Sequence, residues 1–188
     1  IKKIGWFEDL SMTTNGSLLA QRAAKLKELG LNRVNISLDS LDSDAFALCV
    51  GKANQLDSVL NGIHSAIDAG FTSVKINTVL SRHWTDDEVR SLLQYVETWP
   101  VIWRFIEYMP FQGDAFHGPT FDEWKAQLER VCGGSLTEVH SVYGFGPATY
   151  LALPSGKAVG FIFSMSHSYC DTCNRVRLTS DGQMRLCL

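Results

Sequence analysis

The chain has 188 residues, of which 45% are hydrophobic, enough for one sizeable core or two small ones. A formal net charge of −3 argues against nucleic-acid binding through bulk electrostatics, so an anionic ligand has to meet a local cluster of cations. No apolar run approaches the roughly 20 residues that span a bilayer, no signal peptide is visible, and five cysteines outside any secreted disulfide pattern indicate a reducing, cytoplasmic setting.

The first expected strand covers residues 10–13, with Thr14, Asn15 and Gly16 turning the chain. Ser17 is placed to cap a helix over 18–29, and Gly30 to stop it. A second strand follows at 33–38, then helices over 42–50 and 56–69, the latter ended by Gly70. Residues 73–79 read as a third strand, 85–97 as a helix and 103–108 as a fourth strand. Strands alternating with helices of this length predict βα units and a parallel sheet.

The strands carry one unusual feature. Val34, Ile36 and Leu38 alternate with Asn35, Ser37 and Asp39, and Val74, Ile76 and Val79 accompany Lys75 and Asn77. Parallel strands buried on both faces are usually apolar throughout. A polar face on successive strands implies a lumen or cleft that holds something polar, as in a barrel or partial barrel; a solvated edge strand is the alternative for any one of them.

The pattern changes after Pro110. Thr120 and Glu123 form a capping-box signature for a helix to about residue 131, ended by Gly133 and Gly134. Strand-like runs follow at 136–140, 149–153 and 158–164, the last two joined by Pro154, Ser155 and Gly156. A smaller unit is therefore expected from about residue 112. Because the chain opens on Ile1 and stops at Leu188, it reads as a piece of a longer protein.

That unit ends in the most informative segment. Two residues separate Cys170 from Cys173, and thirteen separate Cys173 from Cys187, with Asp181 and Gly182 turning the chain between them. Cys-x2-Cys is shared by zinc ribbons, redox dithiols and iron–sulfur sites. Three thiols beside Arg175 and Arg177 suggest a metal site that also holds an anion. Spacing alone leaves zinc, with His167 as a fourth ligand, level with an iron–sulfur cluster. A two-residue hairpin loop would set Cys187 opposite Val176; a three-residue loop, Ser180 to Gly182 with Gly182 left-handed, sets it opposite Arg175 and is the expected form.

In chain order, Met12-Thr13-Thr14-Asn15-Gly16, Arg33-Val34-Asn35-Ile36-Ser37-Leu38-Asp39, Val74-Lys75-Ile76-Asn77, Arg104-Phe105-Ile106-Glu107-Tyr108-Met109 and the segment from Cys170 to Cys187 form a series. It resembles the GTP 3′,8-cyclases, MoaA-type radical SAM enzymes that begin molybdenum-cofactor synthesis. The resemblance implies an α/β fold. A partial (βα) TIM-like barrel of radical SAM type (1–111) precedes a small α+β domain (112–188) that holds an auxiliary [4Fe–4S] cluster on Cys170, Cys173 and Cys187. It implies GTP contacts at Thr13, Lys75, Arg175, Val176 and Arg177, and S-adenosylmethionine contacts at Ser37 and Met109.

In that family, a radical from S-adenosylmethionine takes the 3′ hydrogen of GTP, and the ribose carbon closes onto C8 of guanine. The product is (8S)-3′,8-cyclo-7,8-dihydroguanosine 5′-triphosphate. An electron donor and the next enzyme, cyclic pyranopterin monophosphate synthase, are implied partners, and a homodimer is allowed. The Cys-x3-Cys-x2-Cys motif of the family's first [4Fe–4S] cluster is absent, so this chain alone is not expected to cleave S-adenosylmethionine. The alternatives are another radical SAM enzyme with an auxiliary cluster and a non-catalytic zinc-binding module.

Three further expectations concern single residues. Lys75, mid-strand, needs a charge partner: a triphosphate, Asp39 or Glu107. Arg104 and Met109 differ by an odd step, so the fourth strand either ends near Tyr108 or bulges. Cys49 and Cys132 are expected to be buried packing residues, and His64, His83, His117 and His140 carry no assignment.

Overall fold

The structure, a computed structural model, describes residues 5–110, 114–139, 143 and 146–186. It opens with β–α repeats. β1 (Ser11–Thr14), β2 (Arg33–Ser37), β3 (Ser73–Val79) and β4 (Ile102–Ile106) are parallel neighbours in that order. Between them run α1 (Ala23–Glu28), α2 (Ser43–Val50) with α3 (Leu56–Asp68), and α4 (Asp86–Thr98).

After β4 come α5 (Phe121–Cys132), β5 (Thr137–Glu138), β6 (Thr149–Ala152) and β7 (Ala158–Ile162). β7 is parallel to β4 and antiparallel to β6, so the described strands form one sheet in the order β1-β2-β3-β4-β7-β6-β5. The sheet thus crosses residue 111: β4 before it pairs with β7 after it. A separate hairpin, β8 (Arg177–Leu178) and β9 (Met184–Arg185), lies near the end of the chain.

One face of the sheet makes the core. Val34, Ile36, Val74, Ile76, Trp103, Phe105, Val159 and Phe161 alternate along four strands and pack with Val59 and Ile63 of α3, Leu92 and Val96 of α4, and Trp124 and Leu128 of α5. Thr78 also takes this side. Its hydroxyl donates to Leu38 O (2.5 Å) and accepts from the Trp103 indole N–H (2.8 Å), so a buried polar group is satisfied. Val79 falls instead on the face of Lys75 and Asn77. The strict two-residue period places it there, correcting the grouping of Val79 with the apolar positions.

Helix boundaries follow the capping chemistry closely. Thr85 with Glu88 and Thr120 with Glu123 form complete capping boxes, and Asp42 caps α2 by accepting from Asp44 and Ala45 N–H. Ser17 is an exception. Its hydroxyl donates to Asn15 Oδ1 (3.0 Å), residues 18–22 run as turns, and regular helix begins only at Ala23, with no side-chain cap. A local turn centred on Asn15 takes the group that was expected to cap.

Cys49 is exposed rather than buried, because α2 sends only Phe46 into the core and its last turn, with Leu48 and Val50, faces solvent. Cys132 is half-buried and packs against the core. Of the strand expected at 136–140, only Thr137–Glu138 pairs; His140 lies outside the described residues.

Candidate functional site

The second face of the sheet is polar, and strand register sets its side chains in two rows. Thr13, Asn35 and Lys75 align across β1, β2 and β3. One step towards the C-terminal strand ends, Ser37, Asn77, Arg104, Gly160 and Tyr150 align across β2, β3, β4, β7 and β6. In-register pairing of polar residues on five strands is what the alternation in β2 and β3 foreshadows.

Arg104 organises the second row. Its guanidinium donates to Asn77 Oδ1 (2.8 Å) and Asn35 Oδ1 (2.9 Å), and Asn35 in turn donates to Thr13 Oγ1 (3.5 Å). Gly160 makes room for it: a Cβ there would sit 2.7 Å from Arg104 Cγ and 2.9 Å from Tyr150 Cε1.

Lys75 is only 2% exposed. Its ammonium donates to the Tyr143 carbonyl and lies 3.4 Å from the Tyr150 hydroxyl. Neither expected carboxylate reaches it. Asp39 accepts from Val79 N–H (2.9 Å), and Glu107 accepts from the backbone of Met165 and Ser166. Both lie just beyond the C-terminal ends of their strands, where the last amide of β3 takes Asp39 and loop amides take Glu107, whereas Lys75 sits mid-strand. Arg33, on the same face of β2, is held by a two-point ion pair to Asp9.

The electrostatics are one-sided. Burial is the main reason the Lys75 ammonium is pushed down to about 8, the charges of Arg104 and Arg33 add to it, and Asp9 opposes them. Burial likewise lowers Arg104, with further contributions from Arg175 and Arg33, although Tyr150 opposes the shift. Arg175 therefore reaches this face from the C-terminal segment, and its Nη2 lies against Gly146, 2.8 Å from where a Cβ would stand. Among the described residues, Lys75 and Arg104 meet only neutral acceptors at hydrogen-bond range, and no carboxylate forms an ion pair with either. Two desolvated cations held by neutral groups, with a third alongside, make a receptor for a polyanion.

The cysteine loop lies beyond Arg175 in the same segment, towards the N-terminus. Cys170 and Cys173 are exposed and free, flanking a short 3-10 turn closed by Cys173 N–H to Cys170 O (3.2 Å). Two open thiols on one turn fit a metal-binding loop; Cys187 lies outside the described residues. His167, the alternative zinc ligand, stacks on the Phe121 ring at 4.8 Å, and among the described residues no three metal-binding side chains are grouped. The hairpin has the three-residue loop: Thr179 N–H donates to Gln183 O (2.9 Å), Gly182 has φ of 84°, and Arg177 pairs with Arg185. Val176 and Arg177 are exposed, and the pairing of position 187 falls outside the described residues.

Ser37 is exposed at the C-terminal end of β2. Met109 is 45% exposed beyond the end of β4, with its sulfur 3.4 Å from the Ser164 hydroxyl. β4 ends at Ile106, so the odd step from Arg104 is resolved by termination rather than by a bulge. The structure thus brings Thr13, Lys75 and Arg175 to one basin. Arg33, Asn77, Arg104, Tyr150 and Gly160 join them there without having been singled out as ligand contacts. Period-two alternation could have nominated Asn77 and Arg104. Tyr150 and Gly160 needed the strand order.

Residues 1–96 match the Radical SAM superfamily model, and residues 101–188 match Molybdenum Cofactor Synthesis C. A relative from Moorella thermoacetica, named GTP 3′,8-cyclase, is 41% identical over 96% of this chain and 56% of its own length. One of the same name from Trichodesmium erythraeum is 44% identical, again over 96% of this chain and 56% of its own length. The chain therefore spans just over half the length of these curated relatives. Among solved structures, a radical SAM methyltransferase from Sphaerobacter thermophilus superposes with a TM-score of 0.53 at 14% identity, covering 66% of this chain and 38% of the other.

Proposed function

The chain belongs to the radical SAM superfamily, and from that premise we propose that it is the substrate-binding portion of a GTP 3′,8-cyclase, a lyase that turns GTP into 3′,8-cyclo-7,8-dihydroguanosine 5′-triphosphate. The observation that carries this reading is the polar face of the sheet, where, among the described residues, no carboxylate pairs with Lys75 or Arg104 and Arg175 approaches from the cysteine-bearing segment.

In the proposed complex Lys75 and Arg175 hold the phosphates, with Thr13, Val176 and Arg177 completing the nucleotide contacts. Ser37 and Met109 contact S-adenosylmethionine at the C-terminal ends of the strands, where catalytic barrels place their ligands. Cys170, Cys173 and Cys187 would hold the auxiliary [4Fe–4S] cluster. When bound, this cluster offers an iron open to an oxygen or nitrogen of the guanine, and S-adenosylmethionine with a first cluster supplies the one-electron chemistry. The chain's own residues orient the ribose between these two centres. The buried Tyr150 hydroxyl, held protonated by burial, remains a hydrogen-bond donor beside Lys75. The division proposed is a radical-bearing part over 1–111 and a cluster- and nucleotide-binding part over 112–188. An electron donor, cyclic pyranopterin monophosphate synthase and a cytoplasmic site complete the proposal; the free cysteines favour a reducing compartment.

Lys75 supplies the test. Binding a polyanion favours its charged form, so its bound-state value rises above the free value of about 8. GTP affinity is then steady below that value and falls as pH rises through it, approaching tenfold per pH unit for the one proton taken up. Between about pH 7.5 and 8.7 the nucleotide's phosphates are almost fully ionised and its guanine keeps the N1 proton, so the change belongs to the protein. An isotherm series over that window on the reconstituted protein reads this directly, and a flat profile would remove Lys75 from the phosphate site.

A further inference from the structure

Between β7 and the cysteine turn, the chain runs from Phe163 to Tyr169 without regular structure, and other elements hold it. Glu107, immediately after β4, is 6% exposed and accepts from Met165 N–H (2.6 Å) and Ser166 N–H (3.0 Å). The Ser166 hydroxyl in turn accepts from Phe121 N–H (3.1 Å) at the start of α5, and the His167 ring stacks on Phe121. Two residues beyond Glu107, Met109 receives the Ser164 hydroxyl (3.4 Å). Among the described residues Glu107 forms no ion pair. A buried carboxylate whose charge is met only by amides of one irregular segment fixes that segment, because the amides have no strand partner and the charge has no cation.

We propose that Glu107 is a positioning residue that locks the loop leading into Cys170 onto the end of β4, setting the auxiliary-cluster cysteines relative to Met109 and the S-adenosylmethionine side. This rests on the functional reading above for what the loop carries, though not for the clamp itself. Only four residues, 166–169, lie between the clamped Met165 and the first cysteine, Cys170, and Ser164 on Met109 directly precedes Met165. The link between the two ligand sets is therefore short and passes through one carboxylate.

The test uses Glu107→Gln, which keeps the side-chain volume and replaces one of the two accepting oxygens by a donor, with Glu107→Ala as the stronger variant. Backbone hydrogen exchange at Met165 and Ser166 should rise about tenfold or more, while Trp103 and Phe105 in β4 stay protected. In the anaerobically reconstituted protein, chelators should strip iron several-fold faster, and the auxiliary cluster's electron paramagnetic resonance signal should broaden. Glu107→Asp, which retains both oxygens on a shorter stem, should restore part of the chelation resistance. Unchanged exchange at Met165 and Ser166 would overturn the clamp. Faster exchange with unchanged chelation rate and spectrum would overturn its role in placing the cysteines. Failure of Glu107→Ala to fold leaves the Gln and Asp variants to decide the matter. Wild-type protein that takes up no iron, while Glu107→Gln still exchanges faster than wild type at Met165 and Ser166, would overturn the cyclase reading and leave the clamp standing.

Discussion

Lys75→Met is expected to weaken GTP binding about ten- to a hundredfold, the loss of one charge-assisted contact to a phosphate worth on the order of 1.5–3 kcal/mol. Methionine keeps most of the buried stem, so the change isolates the charge. The variant should melt no lower than the wild type near neutral pH. Lys75 is 2% exposed, its ammonium is disfavoured by burial and by Arg104 and Arg33, and among the described residues no carboxylate loses an ion-pair partner when it goes. Loss of affinity with retained stability is the signature of a binding cation. Loss of stability with unchanged affinity would mean that Lys75 serves the fold through the Tyr143 carbonyl and Tyr150.

Trp103→Ala should be the most damaging core change, costing about 3–5 kcal/mol. Trp103 is fully buried beneath the polar face, with Tyr95 packed edge-on at 5.8 Å, and its indole N–H donates to Thr78. Trp103→Phe keeps the ring contact and loses that hydrogen bond, so about 1–2 kcal/mol is expected. Urea unfolding with unchanged slope reads both values. An alanine variant within about 1 kcal/mol of wild type would mean the packing around β4 relaxes far more than a close-packed core allows.

The βα framework was legible because its signals are local. Period-two alternation exposed the polar face, capping boxes placed α4 and α5, and glycines marked the ends of α1 and α3. The start of α1 was not legible, since the Asn15 side chain took the Ser17 hydroxyl and nothing in the spacing distinguishes that turn from a cap. The partners of Lys75 were misjudged for a different reason. Asp39 and Glu107 are near it in pattern, yet backbone amides claim both carboxylates, the last amide of β3 for Asp39 and two loop amides for Glu107. Tyr150 and Gly160 joined the basin through non-local pairing. β7 inserts beside β4 while β6 runs antiparallel to it, and no local period encodes that order. The hairpin loop was open on local signals, since a left-handed Gly182 suits a two-residue as well as a three-residue loop; the three-residue form was expected because it lets one ligand reach both cysteines and arginines, and the structure has it.

In the proposed complex the arginines of the C-terminal segment and the sheet's cationic face act on one nucleotide, with the cysteines as a separate metal-binding set. Equilibrium binding of GTP to the reconstituted Arg175→Ala, Arg177→Ala double variant tests this most directly. Burial is the main reason the proton affinity of Arg104 is lowered, the Arg175 charge adds to it, and the Arg175 guanidinium lies against Gly146, which puts that charge on the same side of the sheet. Neither arginine carries a thiol, so iron and sulfide content should match the wild type while the GTP dissociation constant rises about a hundredfold or more, each arginine contributing on the order of 1.5–3 kcal/mol. Wild-type GTP affinity in a variant with full iron content would contradict the account and return both arginines to a solvated hairpin face.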